Sequence, residues 1–131
     1  MPRPKPSRPT DAELAILNVL WQGGEENGGG MTIREIAAEL ERTKTSTYAT
    51  TQTLVRIMEK KGLVSRGEER YPTVYRPTAP VEVAKGRLLR DFLDRVFEGS
   101  MRKLVMHALG DSKASKADMK HIQKLIDQME E

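Results

Sequence analysis

The apolar pattern of the chain changes at Gly62, and that change limits the folds open to it. Before Gly62 the spacing is helical. In residues 46–61 the inward-facing positions are Thr47, Thr51, Leu54, Val55 and Met58, at about 100° per residue. After it, Leu63-Val64-Ser65-Arg66 and Thr73-Val74-Tyr75-Arg76 are short β-branched and apolar runs. They flank Gly67-Glu68-Glu69-Arg70-Tyr71-Pro72, so they read as a hairpin with a charged tip.

Two further helices precede this point. Thr10-Asp11-Ala12-Glu13 and Thr32-Ile33-Arg34-Glu35 both have the T-x-x-E spacing of a capping box, which marks a helix start. The first opens a stripe of Leu14, Leu17 and Trp21, widened by Ile16 and Leu20. The second opens Ile33, Ile36, Ala37 and Leu40. A short polar connector, Glu41 to Lys44, leads into the third helix, giving the outline of a helix-turn-helix. Three helices and a hairpin make a winged helix.

From Pro80 the chain is helical again. Val81, Ala84, Leu88, Phe92 and Val96 form one stripe, and Leu89, Leu93 and Phe97 another, up to Gly99. A helix apolar on two sides needs covering. A short helix follows to Gly110, and a last one starts at Ser115. In it Met119, Ile122, Ile126 and Met129 have the 3, 4, 3 spacing of an interhelical seam. The fold class is therefore mostly α with a small β-hairpin. A winged helix-turn-helix domain spans 10–79, and a helical dimerisation domain spans 80–131, with Leu88, Phe92, Val96 and the seam as its contact residues. The alternative is that these helices fold back on the first domain.

Several functions are closed off by composition. There is no cysteine among the 131 residues, which removes disulfides, cysteine-ligated zinc and thiol catalysis. His107 and His121 carry no acidic neighbour at a metal-ligand spacing, and no hydrolase or nucleotide fingerprint is present. The Gly-rich GGEENGGG runs into Met31-Thr32 without the Lys of a phosphate-binding loop. No enzyme and no cofactor is expected. Neither a secretion signal nor the ~20-residue apolar run of a membrane span is visible, so the expected location is the cytoplasm, without membrane insertion. Residues 1–9 alternate Pro with Arg3, Lys5 and Arg8, and read as a flexible basic arm, either solvated or reaching for phosphates.

The third helix is where function concentrates. Its start is crowded with hydroxyls, from Thr45 through Thr53, although Thr is a mediocre helix former. Its outward side carries Ser46, Ala49, Gln52, Thr53, Arg56 and Lys60, with Thr50 at the boundary. Small polar residues let a helix backbone approach a DNA major groove, hydroxyls donate to phosphates, and Gln can pair with adenine. An exposed polar face without a partner would look similar. Charge favours DNA: between Arg42 and Arg76 there are eight basic residues against Glu59, Glu68 and Glu69, a balance of +5. From Pro80 onward ten basic residues face nine acidic ones. Positive charge thus collects on the reading helix and on Arg66 and Arg70 of the wing, where released counterions supply affinity.

Three stretches resemble the penicillinase repressors (BlaI/MecI type): DAELAILNVLW at 11–21, TYATTQTLVRIMEKKGLVSR at 47–66 and TVYRP at 73–77. The resemblance implies a winged-helix repressor that dimerises through its C-terminal helices and binds a pseudo-palindromic double-stranded operator. It places recognition-helix contacts on Tyr48, Ala49, Thr50, Gln52 and Thr53, with Arg56 near. It also implies a membrane sensor–protease system whose signal leads to cleavage in the C-terminal domain. There, His107-Ala108 stands where cleaved members have Asn-Phe. Copper-responsive relatives carry a Cys-rich tail, which this chain lacks. The competing readings are an architectural, weakly specific DNA binder and a winged-helix protein-interaction module. The latter would need an apolar patch rather than basic residues on the reading helix.

Overall fold

The computed structural model describes residues 8–23, 30–67, 71–110 and 116–129. Among these residues six helices and three strands follow in the order α1 (Asp11–Gly23), β1 (Met31–Thr32), α2 (Ile33–Arg42), α3 (Tyr48–Lys61), β2 (Val64–Arg66), β3 (Val74–Pro77), α4 (Val81–Phe97), α5 (Met101–Gly110) and α6 (Lys116–Met129). The chain divides into two compact units, Met1–Lys85 and Gly86–Glu131.

Both capping boxes form in the first unit. The Glu13 N–H donates to Thr10 Oγ1 at 3.2 Å while the Thr10 N–H donates to Glu13 Oε1 at 2.8 Å. Thr32 and Glu35 exchange the same pair of bonds at 3.1 and 2.9 Å. Each box satisfies backbone donors that the first turn of a helix leaves over. Ile16, Leu17 and Leu20 of α1, Ile36 and Leu40 of α2, and Val55 and Met58 of α3 then close one core with Val64 and Tyr75.

The sheet is antiparallel in the order β1-β3-β2. Val64 faces Pro77, and Arg66 faces Tyr75, which is the expected hairpin. Strand β1 is an addition: Met31 pairs with Tyr75 and Thr32 with Val74. Two residues carry no alternation, and Thr32 already serves as a helix cap, so the sequence pattern does not reveal this strand. Gly30 lets it approach: a Cβ there would lie 2.2 Å from Val74 Cγ1.

The second unit holds the rest of α4 with α5 and α6. Phe97 contacts Phe92 and His107 edge-on, both at 5.8 Å between ring centres. Only Leu93 is buried in α4, and no residue of α5 is. Glu98 and Gly99 both take positive φ, ending α4, and Ser100 Oγ accepts the Lys103 N–H to open α5. The Ser115 start of the last helix and the Met129 side chain lie outside the described residues.

Candidate nucleic-acid interface

Helix α3 is placed by bonds at both ends. The turn before it closes through Lys44, which takes φ 56°, with the Thr45 N–H donating to the Leu40 carbonyl at 2.8 Å. Thr47 is the N-cap and accepts the Thr50 N–H at 3.3 Å. At the far end Gly62 takes φ 81°, a left-handed cap that suits glycine.

The hydroxyl crowd is mostly spent on the helix itself. Thr51 is fully buried and donates to the Thr47 carbonyl at 2.8 Å. Thr53 donates to the Ala49 carbonyl at 3.1 Å, and Thr47 to Thr50 Oγ1 at 3.1 Å. These local bonds occupy hydroxyl donors of the Thr run. They also correct one placement: Thr47 is an exposed cap, not a core-facing residue.

The outward face matches the helical spacing elsewhere. Ala49, Thr50, Thr53, Arg56 and Lys60 are exposed, Ser46 and Gln52 half-buried, and Tyr48 exposed beside them. Sequence reasoning passed over Ile57, which is 41% exposed on the same helix. On the wing, Arg66 pairs with Glu59 at 3.1 Å and lies 6.0 Å from the Tyr75 ring centre. Arg70 lies outside the described residues.

The basic residues divide into two groups. Lys61 is turned inward, its ammonium 2.7 Å from Glu13, and Arg42 pairs with Glu39 at 2.6 Å. Among the described residues, Lys44, Arg56, Lys60 and Arg76 have no carboxylate at ion-pair distance, and all four are exposed. The charge available to a polyanion is thus smaller than the sequence count, but it stays on one helix, its leading turn and the wing. Burial would raise the Glu13 carboxyl, yet the Lys61 ammonium and the Thr10 N–H outweigh it and hold it below the ordinary 4.5. Among the described residues no three His, Asp or Glu converge to hold a metal ion.

A family model described as penicillinase repressor matches residues 9–128. The chain belongs to the penicillinase repressor family. The penicillinase repressor of Bacillus licheniformis is 25% identical over 123 residues, covering 91% of this chain and 89% of that one. That of Staphylococcus aureus is 20% identical over 115 residues, covering 88% and 87%. Among solved structures, the solution structure of the Bacillus licheniformis BlaI monomeric form in complex with the blaP half-operator shares 29% identity. It covers 58% of this chain and 87% of that chain, with a TM-score of 0.48. A penicillinase repressor-family chain is a transcriptional regulator, not an enzyme. Among the described residues no helix is long and apolar enough to cross a membrane.

Proposed function

We propose that this chain is a cytoplasmic transcriptional repressor that binds a pseudo-palindromic operator as a homodimer, reading the major groove with α3. The observation that carries this reading is the outward face of α3. Small residues, Ala49 and Thr53, stand at its start, and Arg56 and Lys60, without a carboxylate partner among the described residues, stand toward its end. Such a face admits the groove edge and then meets phosphates. Family membership gives the repressor role. Ser46, Tyr48, Thr50 and Gln52 border the same face, and Arg66 extends it along the wing.

Dimerisation rests on α4 and α6. Phe92 is 41% exposed, Val96 54%, Met119 46% and Ile126 39%, with Leu88 and Ile122 half-buried. Exposed apolar side chains of this kind on α4 and α6 are what a second copy would cover. Regulation by a membrane sensor–protease system would act through this same region. The test is selection of duplexes from a random pool by the full chain, followed by sedimentation of the complex. Enrichment of an inverted repeat bound by two chains is expected. A complex of one chain, or no enrichment, overturns the reading.

A further inference from the structure

Glu13 and Lys61 stand 48 positions apart, yet Glu13 Oε1 accepts both the Lys61 ammonium at 2.7 Å and the Thr10 N–H at 2.8 Å. Glu13 is 1% exposed, and the Lys61 side chain 25%. A buried ion pair seldom stabilises a fold more than an apolar pair of the same volume would. What it adds is specificity, because the buried carboxylate is satisfied only while the ammonium stays within hydrogen-bond reach. Here that bond joins the first turn of α1 to the last residue of α3.

We infer that Glu13 is a positioning residue for DNA recognition, setting through Lys61 the angle at which α3 presents Ala49, Gln52, Thr53 and Arg56. This rests on the reading of α3 as the DNA-facing helix. Ala49 lies about 18 Å along the axis from Lys61 at ~1.5 Å per residue. A tilt of about 5° at the clamp would therefore move Ala49 by about 1.5 Å, enough to break a base-edge hydrogen bond. The neighbouring lysines divide the work. Lys60 is exposed on the face proposed to meet DNA, while Lys61 is spent inside the domain.

The test uses the full chain, the duplex it selects and a random duplex, over a range of salt. Glu13→Gln and Lys61→Met each lower the ratio of selected to random binding at least tenfold and leave the salt slope unchanged. The double variant loses no more than either single one, because both remove one bond. Lys61→Arg restores most of the ratio, since guanidinium still reaches the carboxylate. Helicity and urea midpoints identify the variants folded under assay conditions. Should Glu13→Gln or Lys61→Met unfold, Glu13→Asp carries the test. It keeps the charge, shortens the reach and should still lower the ratio. A loss on both duplexes alike with a slope smaller by about 0.9 would make Lys61 a phosphate contact and overturn the inference. An unchanged ratio in folded variants would overturn it too. A wild-type chain without selectivity would instead defeat the proposed function itself.

Discussion

Thr78 donates its hydroxyl to the carbonyl of Gly62 across 2.6 Å. The bond joins the exit of the wing to the C-cap of α3, and the Thr78 N–H adds a second tie to the Leu63 carbonyl at 3.1 Å. A helix end leaves carbonyls without partners, and this hydroxyl supplies one. Thr78→Val keeps the shape and removes the donor. It should lower the unfolding free energy by about 1 kcal/mol in urea titration, the usual net worth of one hydrogen bond. Gly62→Ala should cost a similar ~1–2 kcal/mol. Its Cβ meets nothing within 4 Å, so the whole cost is the left-handed backbone at φ 81°.

The Glu13 carboxyl makes stability depend on acid. Its value in the folded chain is held below the ordinary 4.5 by Lys61 and Thr10, despite burial. A depressed carboxyl contributes stability that is fully present above 4.5 and lost as pH falls through the folded value. Wild type should therefore be more stable than Glu13→Gln at pH 7, and the gap should close as pH is taken well below 4.5. Urea unfolding of both chains at several pH values checks this. A gap that stays constant with pH would remove the carboxylate charge from the account.

Base contacts and phosphate contacts should separate. Gln52→Ala should cost about 1–3 kcal/mol on the selected duplex and little on random DNA. Lys60→Ala should weaken both alike and reduce the salt slope by about 0.9. Fluorescence anisotropy across a salt series reads both effects.

Much of the first unit is legible in the sequence because its signals are local. The Thr10/Glu13 and Thr32/Glu35 boxes each lie within one helical turn, and both form as read. The cap at Gly62 depends on its immediate neighbours, and Val64–Arg66 pairs with Tyr75–Pro77 across a single hairpin turn. The misses are long-range or double-duty. Lys61 counts as surface charge until the fold brings it to Glu13, and Met31–Thr32 pairs with a strand over forty residues later. Thr47 fits the inward stripe on a helical wheel, but it is the first residue outside the helix, where the wheel does not apply. Ile57 carries no signal beyond its place on the wheel.

Gly99 is the exposed hinge between α4 and α5, at φ 79° beside Glu98 at φ 52°. Exposed turns are favoured sites of proteolytic nicking. Cleavage there separates α5 and α6 from α4, and with them the seam of Met119, Ile122 and Ile126. For the proposed dimer, operator affinity should fall at least tenfold, about 1.4 kcal/mol, because two half-sites would no longer be held together. Limited proteolysis followed by a gel shift checks it. A clipped chain that stays dimeric and binds unchanged would remove dimer loss as a release mechanism.

In the proposed repressor, two copies of α3 read two half-sites of one operator. Footprinting the full chain on the DNA upstream of its own gene tests it most directly. Two protected half-sites in inverted repeat are expected, centred a whole number of helical turns apart at about 10–10.5 base pairs per turn. Arg56→Ala and Lys60→Ala should weaken both half-sites equally. Protection that spreads evenly along the fragment, or that matches protection on random DNA, would contradict sequence-selective reading by α3.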